Sequence, residues 1–179
     1  MSFPWENETQ KKNLAWFLPR PSKSRYKGGF PLHCEDWLIK LAESVLGFDL
    51  ERKDILQPFA GMCRRGIRMD LKKEMNPDVL GNAHDLPFKD ESFWLVLCDP
   101  PYSDEEARKL YGTPKLIFRT WAKEAIRVLK KGGVLILYHK LLLPNPDPNE
   151  LSLIKRVFIG HRTWHVPRIA LVFRKRRGA

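Results

Sequence analysis

Apolar residues fall along this chain in short runs separated by two stripes of helical period. The clearest run is Phe93-Trp94-Leu95-Val96-Leu97-Cys98. It is continuous rather than alternating, aromatic and branched, and too short for a buried helix, so it predicts a strand covered on both faces in a parallel sheet. Ile55 to Gln57 runs into the turn Pro58-Phe59-Ala60-Gly61, and Ile67 to Asp70 ends on an acid; both predict strands. Val134 to Tyr138 predicts another, and Leu153 to Ile159 and Ile169 to Arg174 predict a closing pair around a turn-like stretch from His161 to Pro167. Helical spacing appears in Trp37, Leu41 and Val45, which share one face of a helix near Asp36 to Leu46. Leu116, Trp121, Ala125, Val128 and Leu129 fall mainly on one face of a second helix, with Lys130 and Lys131 suited to its negative carboxyl end and Gly132 to its cap. Pro144 to Asn149 reads as a loop. Strands alternating with helices predict an α/β fold.

The Phe93 to Cys98 run stops on Asp99-Pro100-Pro101-Tyr102. Two prolines cannot continue a hydrogen-bonded ladder, so the strand ends there and delivers a carboxylate and an aromatic ring at its carboxyl edge. In open α/β sheets that edge is where ligands bind.

Asp-Pro-Pro-Tyr at a strand end resembles the catalytic motif of class I S-adenosylmethionine-dependent methyltransferases that act on exocyclic amino groups, chiefly adenine N6 and cytosine N4 of nucleic acids. The resemblance implies a Rossmann-like sheet, mostly parallel with one antiparallel closing strand. It also implies the chemistry. An exocyclic amino nitrogen is a poor nucleophile because its lone pair is delocalised into the ring. Two acceptors aimed at its hydrogens, the Asp99 carboxylate and the Pro100 carbonyl held extended by Pro101, draw it toward tetrahedral geometry. Tyr102 then offers a face on which the base stacks.

Flanking stretches extend the resemblance. Asp78 to Phe93, with Asn82-Ala83 and Leu86-Pro87-Phe88 inside it, resembles the segment that these enzymes place before the catalytic strand. Asn82 stands where an acidic residue usually meets the cofactor adenine, and its carbonyl keeps an acceptor but no charge. Trp94 stands where the family often has Asp. Phe59-Ala60-Gly61 resembles the turn that wraps the methionine part of the cofactor, with Gly permitting close backbone approach. Asp70 suits the two ribose hydroxyls, which one carboxylate can accept together. Arg127-Val128-Leu129, the Lys-Lys-Gly-Gly stretch and the following strand resemble the late part of such a domain.

The spacing departs from the family in one place. Only Met62, Cys63, Arg64, Arg65 and Gly66 lie between Gly61 and Ile67, whereas a parallel crossover normally takes about a dozen residues. The first crossover helix is therefore expected to be shortened or missing. Arg64 or Arg65 then either supplies the positive charge that the helix would turn toward an anionic group or is a solvated loop residue.

Composition narrows the class. The chain has 179 residues, 43% of them apolar, enough for one core. It reads as a basic, aromatic amino-terminal segment over residues 1–30 followed by a single domain over 31–179. The absence of an apolar secretory core or a long apolar span leads us to expect a soluble, cytoplasmic protein. The three cysteines form neither a disulfide frame nor a zinc motif, His33, His161 and His165 stand at no convincing metal spacing, and methyl transfer from a sulfonium needs no metal, so none is expected.

The formal charge of +11 suits a polyanion. Lys11, Lys12, Arg20, Lys23, Arg25 and Lys27 stand beside Trp16, Phe17 and Tyr26, while Arg162, Arg168, Arg174, Lys175, Arg176 and Arg177 crowd the other end. Basic residues among aromatics suit an unpaired strand, on which rings stack and charges follow the backbone; a solvated basic surface has the same composition. Likewise the Tyr26 to Pro31 approach, with Gly28-Gly29, suits either a pocket wall or packing.

The expectation is an S-adenosylmethionine-dependent methyltransferase of a nucleic-acid base, with specificity from short-sequence or RNA-structure recognition or from a partner subunit. Asp99, Pro100, Pro101 and Tyr102 are its catalytic candidates. Phe59, Ala60, Gly61, Asp70, Asn82, Ala83 and Asp99 are its cofactor candidates. Tyr102, Lys27, Arg64 and Arg65 are its substrate candidates. The alternatives are the same enzyme acting on a protein amide or small molecule, and a non-catalytic nucleic-acid-binding subunit with a degenerate cofactor pocket.

Overall fold

The continuous apolar runs become strands buried on both sides. In the computed structural model, residues 12–19, 30–103, 105, 107–111, 116–160 and 166–178 are described. Lys11, Arg20, Lys23, Arg25, Tyr26, Lys27, Gly28, Gly29, His161, Arg162 and His165 lie outside them.

Eight strands form one sheet: β1 (Asn13–Phe17), β2 (Ile55–Gln57), β3 (Ile67–Asp70), β4 (Val79–Leu80), β5 (Phe93–Cys98), β6 (Leu129–His139), β7 (Leu151–Gly160) and β8 (Arg168–Lys175). Their order across the sheet is β1-β7-β8-β6-β5-β2-β3-β4. Every pairing is parallel except those of β8 with β6 and β7. This is the mostly parallel sheet with an antiparallel closing strand that the motifs implied. The order reverses between β2 and β5, because the chain builds outward through β3 and β4 and then returns to place β5 on the other flank of β2.

Helix α1 (Cys34–Leu46) covers one face and α2 (Phe118–Val128) the other. Side-chain alternation along the central strands explains how both faces bury. Leu95 and Leu97 of β5 join Val134, Ile136 and Tyr138 of β6 beneath α1. Val96 and Cys98 join Leu135 and Leu137 on the face of α2 with Trp121, Ala125 and Phe173. No helix among the described residues is long and apolar enough to cross a membrane.

Three features differ from expectation. First, α2 ends at Val128, and Leu129 to Gly132 already belong to β6, so Lys130, Lys131 and Gly132 do not close the helix. The buried Lys175 does so from β8, its Nζ donating to the carbonyls of Ile126 and Leu129, both at 2.9 Å. A distant cation thus supplies the positive charge that a helix carboxyl end favours. Second, the sheet extends into the amino-terminal segment. β1 adds a parallel edge to β7, and Trp16 lies in the core, edge-on to Trp37 at 5.5 Å, rather than exposed for stacking on bases; Phe17 on the other face is 74% exposed. Third, β4 is a two-residue edge strand inside the stretch read only as a lead into the catalytic strand.

Candidate functional site

The reversal of strand order opens a crevice at the carboxyl ends of β2 and β5. β5 ends at Cys98, and Asp99 to Tyr102 leave the sheet there, with Pro100 buried and Asp99 and Tyr102 half-buried. Beside them a cleft is lined by Phe59, Asp70, Asn82, Ala83, His84 and Pro101 among others. The sequence therefore named five of the residues that line it, from four separate stretches. Ala60 is buried behind Phe59, and its N–H donates to the Met69 carbonyl of β3 at 2.9 Å.

The crossover from β2 to β3 contains no helix; residues 58–66 form turns only. Local bonds replace it. One Asp70 carboxylate oxygen accepts the Gly61 N–H at 2.8 Å and the other accepts the Lys72 N–H at 2.9 Å, which leaves each oxygen further lone pairs. Gly66 (φ 70°) passes so close over β2 that a Cβ would lie 2.6 Å from Ile55 Cγ2.

The rest of the loop is held from α1. The Glu35 carboxylate in its first turn accepts the N–H of Arg64 at 3.0 Å, the N–H of Arg65 at 2.9 Å and the side-chain amide of buried Gln57 at 2.6 Å. Arg65 donates to Asp36 at 2.8 Å. Both arginine side chains are exposed, and Arg64 has no ion pair among the described residues. The amides that face an anion here thus already face one of the protein's own. Sequence reasoning missed Glu35, whose signal was an acid at a helix amino end together with a loop too short to carry its own helix.

Asn82 and His84 form the opposite wall. Asn82 Oδ1 accepts the His84 N–H at 3.0 Å and lies 2.9 Å from His84 Nδ1, while His84 Nε2 accepts the Ile117 N–H at 2.9 Å. Burial lowers the His84 pKa from its ordinary 6.5. Arg127 of α2 locks the following loop, gripping Glu124 through Nε and one terminal nitrogen and donating to the carbonyls of Leu86 and Phe88 at 3.0 and 2.8 Å.

Tyr102 is more enclosed than a bare stacking face. Its hydroxyl accepts from Arg168 Nε at 3.1 Å and donates to Asp99; burial and the Asp99 charge raise its pKa, so the phenol stays protonated. The His139 ring meets it edge-on at 4.9 Å, and its face carries Arg168 Cζ at 4.8 Å and Lys140 Nζ at 5.6 Å. His139 Nδ1 accepts the Leu141 N–H at 2.9 Å, which leaves a ring proton only on Nε2 in the neutral ring. His139 and Lys140 carried no sequence signal. Arg168 was visible only as one member of a charge run.

The thiols of Cys34, Cys63 and Cys98 are buried around this site, and burial and the charge of Asp99, joined at Cys34 and Cys63 by Glu35, raise their pKa values. Three carboxylates, Glu35, Asp70 and Asp99, act on Cys63 together and Arg68 opposes them, so carboxylates able to face a cationic ligand gather around the crevice.

No protein-family model matches this chain, nor does any curated protein. Solved structures do. TrmN from Thermus thermophilus is similar with a TM-score of 0.50 and 18% identity, over 75% of this chain and 48% of its own. The YcgJ protein from Bacillus subtilis is similar with a TM-score of 0.50 and 15% identity, over 82% of this chain and 99% of its own. An rRNA methylase from Streptococcus thermophilus is similar with a TM-score of 0.44 and 11% identity, over 77% of this chain and 96% of its own. The fold is Rossmann-like, a mostly parallel sheet with an antiparallel closing strand, and its crossover from β2 to β3 has no helix.

Proposed function

We propose that this protein is an S-adenosylmethionine-dependent N-methyltransferase acting on an exocyclic amino group of a nucleic-acid base. One observation carries the reading: Asp99-Pro100-Pro101-Tyr102 leaves β5 at the reversal of strand order, against a cleft lined by Phe59, Asp70, Asn82 and Ala83. The residues fit the cofactor. The carboxylates gathered at the crevice suit a sulfonium, the Asp70 oxygens keep lone pairs for ribose hydroxyls, and Asn82 with Ala83 forms a wall for the adenine. When bound, the cofactor supplies a methyl group already activated on positive sulfur. The protein's own part is to hold the acceptor. Asp99 and the Pro100 carbonyl accept from the amino hydrogens, localise the nitrogen lone pair and match the ammonium charge that develops. Tyr102 bears on the base, and Lys27, Arg64 and Arg65 are substrate candidates from the sequence. A base within a duplex must first be flipped out, at a cost of a few kcal/mol. The reading gives the protein a cytoplasmic place and nucleic acid as its partner, with or without a specificity subunit, and requires no metal.

A second reading has one observation in its favour. Glu35 occupies the loop amides of Arg64 and Arg65, which suits a nucleic-acid-binding subunit whose cofactor end has closed. Calorimetric titration with S-adenosylmethionine and S-adenosylhomocysteine, followed by labelled-methyl transfer to DNA, RNA and protein fractions, separates the two. Micromolar binding and label in nucleic acid support the enzyme. Binding with label only in protein moves the target to an amide, and no binding by folded protein favours the subunit.

A further inference from the structure

We infer that Arg168 and Lys140 form a subsite for the phosphate adjoining the target base, so that the site selects a polynucleotide over a protein amide. The inference rests on the methyltransferase reading above. The two cations come from different strands: Lys140 follows β6, Arg168 opens β8, and the antiparallel register pairs His139 with Ile169, which brings them together at the carboxyl edge of the sheet. Both bear on the ring of Tyr102, at 5.6 and 4.8 Å from its centre.

Like charges converging on one ring repel unless anions compensate. Arg168 reaches one through the Tyr102 hydroxyl, which bridges Arg168 Nε to Asp99, while one terminal nitrogen donates to the Val166 carbonyl at 2.9 Å. Lys140 meets no carboxylate among the described residues. An anion docking at this edge of the sheet supplies the charge that Lys140 lacks, and the guanidinium suits phosphate oxygens. The flanks favour a nucleotide as its carrier. Leu141 and Leu142, which follow Lys140, and Val166, two residues before Arg168, are 57%, 62% and 62% exposed, apolar side chains next in sequence to positive charge, a pairing that suits unpaired nucleotides. A protein amide has no obligatory anion to place there.

The test is the salt dependence of affinity for a fluorescein-labelled single-stranded RNA decamer, read by anisotropy with S-adenosylhomocysteine present. Each phosphate contact contributes about 0.7 to the slope of log affinity against log salt for a single strand. Lys140→Ala and Arg168→Gln should each reduce the slope by about that amount. Arg168→Lys should retain it, although it loses the bond to Tyr102, because the charge rather than the orientation of the phenol sets the slope. Slopes unchanged in both charge-removing variants, or a decamer that the wild-type protein does not bind, would overturn the subsite. Labelled-methyl transfer by the wild-type protein is read separately. Label in nucleic acid with unchanged slopes removes the subsite and leaves the enzyme, whereas reduced slopes without transfer remove the enzyme and leave the subsite.

Discussion

His84 joins two walls of the cleft through its two ring nitrogens. Because Nε2 accepts from Ile117, the ring proton sits on Nδ1 and faces Asn82, and the contact requires a neutral ring. The lowered pKa means that on acidification the unfolded chain takes a proton at the ordinary 6.5 before the folded one does. This contribution to stability is therefore present above that value and is lost as the pH falls below it. Thermal melts from about pH 7.5 to about pH 5 should show a shallower decline for His84→Gln than for the wild type. Equal slopes would assign the acid sensitivity elsewhere. For the two acids of the crevice the expected behaviours diverge. Asp99→Ala should abolish methyl transfer with little change in calorimetric cofactor affinity, whereas Asp70→Ala should weaken the cofactor itself. Equal losses of affinity would sink that division. Asp99 was legible because two prolines announce a strand end. Arg168 and Lys140 were not, because their positions at the site come from the register of two strands distant in sequence.

At the level of elements, the helix-free crossover was legible by counting residues, but what replaces the helix was not. Glu35 lies about thirty positions upstream and reaches the loop only once α1 has docked on the sheet. Tight backbone approach is the other condition. Gly66→Ala places a Cβ 2.6 Å from Ile55 Cγ2 and 2.7 Å from the Ile55 carbonyl oxygen, at a positive φ. Gly47, with φ 87° and nothing within 4 Å, isolates the conformational part. Urea midpoints should place the loss from Gly47→Ala near 1 kcal/mol and that from Gly66→Ala well above it. The α2 terminus was misread for a related reason. The chain turns directly from helix to strand, and the closing cation arrives from β8. Lys175→Met should cost about 1 to 3 kcal/mol, through the loss of its bonds to the Ile126 and Leu129 carbonyls, the first of which keeps the Leu129 N–H.

For the whole molecule, the +11 charge is divided between tasks that composition cannot separate. Lys175 closes a helix, Arg174 Nε donates to the Gly132 carbonyl at 3.3 Å, and Arg168 stands at the site. Charge also concealed β1. Leu14, Trp16 and Leu18 alternate as a half-buried strand should, yet they stand in a stretch that reads as basic and aromatic. Trp16→Ala should cost about 3 to 5 kcal/mol in denaturant unfolding, as expected of a buried aromatic. A change below about 1 kcal/mol would return this segment to the role of a surface appendage.

The buried thiols turn the crevice into its own clock. An alkylating reagent needs both access and thiolate, and Cys34 on α1, Cys63 on the crossover and Cys98 on β5 withhold both in the closed protein. Each alkylation event therefore counts an opening. Since Glu35 ties the crossover to α1, Cys34 and Cys63 should label at a shared rate that a cleft ligand slows, while Cys98 keeps the slower time of global unfolding.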